Sequence, residues 1–185
     1  KLKQDNASPR IQVNDQEAVL PAKRADVREH VRDLRDVDKE VRIAACKRIA
    51  ELGPAGVDAT KTLTDCADDE EAEVRNAAVS ALAAIGSPAK AAVPDIVEAI
   101  ASERLNYTAF ASLHAIGGDE ALIRLTTHEQ AQVRQWGVRE LAQRADHKIL
   151  VKVLEKTILD EDQDVRTLSL DTLNKLTFAR DPNPA

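Results

Sequence analysis

The sequence predicts an all-α protein whose helices stack as an α-solenoid, a superhelical array of about five helical pairs. Three observations predict it. Charged residues make up 31% of the 185-residue chain and aromatics only 2%, with alanine and leucine abundant. That composition suits a thin array filled by small aliphatic side chains, and not a sandwich or a nucleotide-binding sheet. Apolar residues recur three and four positions apart through most of the chain, the period of helices that bury one face. Finally, one frame repeats. It is fullest from Asp69 to Gly86, DEEAEVRNAAVSALAAIG, returns from Asp36 to Gly53 as DVDKEVRIAACKRIAELG, and recurs with losses around Leu105, Val133 and Val165, the mark of tandem structural units.

Taken in order, residues 1–21 hold no sustained helical period and are interrupted by Pro9 and Pro21; they are expected to form a flexible arm or linker. Residues 22–177 are expected to form the solenoid domain, and residues 178–185 a C-terminal tail. Val27, Val31 and Leu34 mark the first helical face. Asp36 and Asp38 end that helix and offer a side-chain cap to the next, predicted from about Lys39 to Leu52 and stopped at Gly53-Pro54. A short helix is predicted at about Val57 to Ala67. Asp68 and Asp69 open the helix that ends at Gly86, and Ser87-Pro88 starts another to about Ile100. Leu105 to Ile116 follows, stopped by Gly117-Gly118. The rest are expected at about Asp119 to Thr127, Ala131 to Arg144, His147 to Leu159 and Gln163 to Leu176.

Five long helices lie on one frame, starting at Val41, Val74, Leu105, Val133 and Val165, at intervals of 33, 31, 28 and 32 residues. Four residues after each start stand Ala45, Ala78, Ala109, Gly137 and Ser169, all small. Eight residues after stand Ile49, Leu82, Leu113, Leu141 and Leu173. Five residues after stand Cys46, Val79, Phe110, Val138 and Leu170. Positions four and eight residues from the start share its helix face. The small side chain lets a neighbouring helix approach closely, and the larger ones fill the groove. A unit of about 31 residues cannot bury its own stripe, so units must stack.

The words DKEVRIAACKRIAELG, AEVRNAAVSALAAIG, AAVPDIVEAI and DQDVRTLSLDTLNKL resemble HEAT repeats, particularly the short subclass named after phycobilisome lyases, over roughly residues 22–176. The resemblance implies five pairs, with the first helix of each on the convex side and the Val-Arg helix lining the concave side. It also implies a ladder between neighbouring repeats built from a turn aspartate and an arginine, at Asp36 with Arg42, Asp69 with Arg75, and Asp160 with Arg166. A row of arginines could alternatively bind phosphate; the ladder is preferred because a carboxylate sits near each of them in sequence. Repeat four carries His128 where the aspartate belongs, and repeat three carries Asn106 for the arginine. The ladder is therefore expected to weaken between Ile100 and Arg134, leaving Arg134 free to meet a partner.

No chemistry stands out. The formal net charge of -6 disfavours a general footprint for nucleic acid or anionic membrane, and no apolar run reaches the length of a membrane span. Cys46 and Cys66 are too few for a disulfide framework and are expected to be buried thiols, with a bridge between adjacent helices as the rival. HEAT-type di-iron hydroxylases use several His-Glu pairs, whereas His128-Glu129 is the one such pair here and falls in a turn; His30, His114 and His147 lack matching carboxylates. No catalytic residue, metal or cofactor is expected. The function expected is a non-enzymatic protein-protein interaction scaffold. The alternatives are a lyase-type accessory subunit binding a tetrapyrrole and, behind it, a nucleic-acid-binding HEAT-like protein. The partner-binding patch is expected at Tyr107, Gln135 and Arg139, with Arg134 beside them, since aromatic and arginine side chains dominate interface energetics. Leu168, Leu170, Leu173 and Leu176 are too apolar for a terminal cap, so this end is expected to dock on a partner, a second copy or further chain. The sequence starts at Lys1 without methionine and reads as a processed or excised piece, which leaves the compartment open.

Overall fold

The structure, a computed structural model, describes residues 27–180, with side chains described as far as Leu176. The expected arm at residues 1–21 and the last five residues of the expected tail lie outside the described residues. Among the described residues the regular elements are all helical.

Five pairs follow one another. A helical turn at 27–33 (α1) precedes α2 (Lys39–Leu52). A 3₁₀ segment, Gly53–Ala59, leads into α3 (Thr60–Cys66), which pairs with α4 (Ala72–Ile85). A second 3₁₀ segment, Ser87–Ala92, leads into α5 (Val93–Ala101) and then α6 (Thr108–Leu125). The last elements are α7 (Ala131–Arg144), α8 (His147–Thr157) and α9 (Gln163–Arg180). The long helices touch in chain order, α2 on α4, α4 on α6, α6 on α7 and α7 on α9, while α3, α5 and α8 pack on α4, α6 and α9. Contacts between successive units in this way make a solenoid.

Local chemistry sets the boundaries. Asp38 caps α2 by accepting from the Glu40 amide, and Asp146 caps α8 by accepting from the Lys148 amide at 2.8 Å, each satisfying one of the orphan donors of a helix start. The expected plain helices at Val57 and Ser87 open instead as 3₁₀ turns, with Pro54 and Pro88 in their first positions, where a missing N–H is harmless. The third long helix starts at Thr108 rather than Leu105, because the Asn106 side-chain oxygen accepts from the Thr108 amide at 3.0 Å. As expected, its helical backbone breaks at Gly117-Gly118, so that α6 is two helices meeting at a kink. It bends there, with Gly118 at φ 62° and ψ -156°, a conformation that only glycine adopts without strain. Gly117, at the bend, lies against Val93 of α5, and Leu125 and Thr126 at the far end lie against Gly137 of α7, which keeps the count at five pairs among the described residues. The last helix was expected to end near Leu176 and runs to Arg180, since no glycine or proline interrupts it.

The repeat columns become seams. Ala45, Ala78, Ala109, Gly137 and Ser169 are all buried, as are Ile49, Leu82, Leu113 and Leu141. Gly137 shows why this column is small: a Cβ there would lie 2.7 Å from the Thr126 backbone nitrogen and 2.8 Å from the Leu125 Cβ. In the column five residues after each start, Cys46, Val79, Phe110 and Val138 are buried, whereas Leu170 in the last unit is 47% exposed. Both cysteines are free and buried. Burial pushes the Cys46 thiol up to about 12 and the Cys66 thiol up to about 11, so both behave as small apolar side chains.

Candidate functional site: an aromatic cleft where the inter-repeat ladder lapses

The turns before three of the five long helices are built in the same way. The side chains of Asp36, Asp69 and Asp160 accept from the amide two residues on, at 2.8, 2.9 and 2.9 Å. The arginine one residue after the helix start then reaches back. Its Nη1 donates to two turn carbonyls of its own repeat: Arg42 to Asp36 and Val37, Arg75 to Asp69 and Glu70, Arg134 to His128 and Glu129, Arg166 to Asp160 and Glu161. Within a repeat, the arginine therefore holds the backbone of the aspartate's turn and not its carboxylate.

The carboxylates serve the preceding repeat. Arg42 Nε and Nη2 donate to the two Asp69 oxygens at 2.9 Å each, and Arg134 makes the same fork on Asp160 at 2.9 and 2.8 Å. This is the bidentate geometry that favours arginine over lysine. Arg134, expected to be free for a partner, is instead 6% exposed and fully engaged. Its carboxylate comes from the next repeat and not from its own, where His128 stands in the aspartate's place. Hydrogen bonding from Arg134 holds the Asp160 carboxyl below its ordinary value.

Between these two rungs the ladder lapses. Ile100 stands where repeat three should offer an aspartate, and Arg75 Nε turns to the Arg104 carbonyl at 2.9 Å. At the next rung both halves are replaced, by Asn106 and His128. His128 Nδ1 accepts from the Gln130 amide at 3.1 Å. It replaces the turn carboxylate as a backbone acceptor but cannot receive a guanidinium fork.

An aromatic row occupies the gap. Tyr107 meets Phe110 edge-on with centroids 5.5 Å apart, and Phe110 meets Trp136 edge-on at 5.9 Å, the favoured arrangement for such rings. Together with Ile100 and Leu105 they line a cleft of about 220 Å³, with Glu103 and Asn106 as its polar members. Tyr107 is 63% exposed although it is the outer ring of a packed row. On α7, Gln135 is half-buried and Arg139 exposed; being four apart, they share one face. The structure thus brings Trp136, not Arg134, to Tyr107. The clue in the sequence was the crowding of three of its four aromatic residues between positions 107 and 136.

Elsewhere the chemistry is sparse. His114, expected to lack a carboxylate, lies 3.2 Å from Asp119 because the bend at Gly118 folds the chain back. Among the described residues no group of three or more His, Cys, Asp or Glu side chains could hold a metal ion, and no helix is long and apolar enough to cross a membrane.

Residues 29–117 match the family model described as HEAT repeats. The HEAT match runs from α1 to the bend of α6, the first three pairs. No curated protein matches. Among solved structures the chain is similar to an engineered protein at 26% identity, covering 80% of this chain and 78% of that one with a TM-score of 0.41. It is also similar to a designed armadillo repeat protein in complex with the peptide (KR)4, at 18% identity, covering 88% of this chain and 95% of that one with a TM-score of 0.39.

Proposed function

We propose that this helical-repeat chain is a non-enzymatic scaffold for protein-protein interaction, and that it holds a partner at Tyr107, Gln135 and Arg139. The observation that carries the reading is the cleft beside the half-exposed Tyr107, placed where the repeats have given up an ion-pair rung. An open apolar cleft with a rigid aromatic at its lip and an exposed arginine nearby is the composition of an interface anchor. The partner it fits inserts an apolar side chain between Tyr107 and Trp136 and offers a carboxylate to Arg139. Arg134 belongs to the seam and not to this surface. A second surface, the leucine-bearing end at α9, docks independently of the first.

Capture from an extract by chain immobilised at one end, followed by cross-linking at the cleft, tests the proposal. Retention of a protein by the natural sequence that is lost in both Tyr107→Ala and Arg139→Glu is the expected result. Equal capture by all three chains would remove the patch. A bilin-induced absorbance change, or salt-dependent binding of DNA with no protein captured, would replace the scaffold reading by a tetrapyrrole-binding or nucleic-acid-binding one.

A further inference from the structure

Among the described residues the ladder has two unfinished halves, one in the first pair and one in the last. Arg166 holds its own turn as Arg42 and Arg134 do, with Nη1 at 2.8 Å from both the Asp160 and Glu161 carbonyls. In Arg42 and Arg134 the remaining Nε/Nη2 edge grips a carboxylate of the next repeat. Among the described residues the same edge of Arg166 has no acceptor. At the opposite end, Asp36 is set in the turn that Asp69 and Asp160 use, accepting from the Asp38 amide at 2.8 Å. Asp69 and Asp160 each receive a guanidinium fork; among the described residues Asp36 receives none and is exposed.

The apolar parts match the polar ones. Leu170 occupies the column that is buried in the other four units, yet it is 47% exposed, and Leu168, Leu173 and Leu176 beside it are only partly covered. Next to Asp36, Val37 is 99% exposed, and an open groove of about 490 Å³ runs along α1 between Arg28, Val31 and Asp36.

We propose that the α9 end of one copy stacks on the α1–α2 end of a second copy, with Arg166 closing on Asp36 as an intermolecular rung and Leu170 buried against the partner's first pair. Charge complementarity selects this occupant, because the donor edge and the acceptor turn left without partners among the described residues are both supplied by the same chain. The contact is heterologous, so it propagates head to tail and does not close into a two-fold dimer. It rests on the open α9 end of the scaffold proposal and is independent of the cleft at Tyr107.

Sedimentation velocity of the full chain over a wide concentration range, with circular dichroism to verify folding, tests it. The average mass should rise with concentration. Asp36→Arg alone and Arg166→Asp alone should each weaken association about 100-fold, since each sets like charges against one another. An equimolar mixture of the two variants should associate again, because one brings an intact Arg166 and the other an intact Asp36. Leu170→Ser, an uncharged change at an exposed position, should weaken association while leaving Arg166 and Asp36 in place. A monomer at every concentration, or association indifferent to both charge reversals, would overturn the proposal. Tyr107→Ala should leave self-association unchanged, so failure at the cleft and failure at the ends are read separately.

Discussion

Replacing Arg134 by methionine should be among the most damaging single changes in the chain, and its cost can be worked from the geometry. The guanidinium side chain is 8% exposed and Asp160 is 11% exposed. Removing the cation strands a nearly buried carboxylate and frees the His128 and Glu129 carbonyls, which it bonded at 2.9 and 2.7 Å. Breaking one side of a buried pair costs about 3–5 kcal/mol; methionine keeps part of the packed volume, and the sliver of exposure at Asp160 admits some water. The lower figure, about 3 kcal/mol, is therefore expected, a fall in Tm of about 6–12 °C for a chain of this size. Asp160→Asn retains an oxygen for the Asp162 amide and removes only the charge. The double variant should be less damaging than the two singles added together, with a coupling of about 2 kcal/mol. Thermal and urea unfolding followed by circular dichroism supply the numbers. Additive losses, with coupling under about 0.5 kcal/mol, would refute the rung as an energetic unit. The pH dependence has a definite sign. The Asp160 carboxyl is depressed in the folded state, chiefly by its hydrogen bond from Arg134. Its contribution is therefore fully present above the unfolded carboxyl value of about 3.9 and is lost as pH falls through the lower folded value. Arg134→Met should flatten that acid limb.

Three further outcomes follow from single sites. Gly137→Ala gains about 1 kcal/mol of helix propensity but drives a Cβ to 2.7 Å from the Thr126 backbone, an overpacking worth about 1–3 kcal/mol; net destabilisation is expected in urea melts, and net stabilisation would show that this seam is looser than described. Gly118→Ala should cost about 1–3 kcal/mol through backbone strain alone, since nothing lies within 4 Å of the added Cβ, and an unchanged Tm would mean that the bend is not required. With thiol values near 12 and 11, Cys46 and Cys66 should resist a thiol-disulfide reagent at pH 8 in the folded protein and react promptly in denaturant; rapid labelling without denaturant would contradict their burial.

Much of the architecture was legible in the sequence because the signals involved are local or periodic. Helix period, the Asp38 cap, the Gly53 and Gly86 stops and the columns through Ala45 and Ile49 each depend on residues within a turn or two of one another. The same repetition announced that units must stack, since no single pair carries enough apolar surface to bury its own stripe. What escaped was decided between units. Along the chain the turn residue nearest Arg42 is Asp36, and Arg134 has only His128 in that place and was expected to be free, whereas the forks close on Asp69 and Asp160, more than 25 residues away. Only stacking brings those groups within 3 Å, and only the low-water seam makes the pairing strong. For the same reason Arg134 passed from candidate binder to structural rung, and Trp136 joined Tyr107 and Phe110 in one cleft. The sequence by itself determined which faces are apolar and how often they recur; the tertiary arrangement decided which charge meets which, because an ion pair is specified by distance in space and has no period to read.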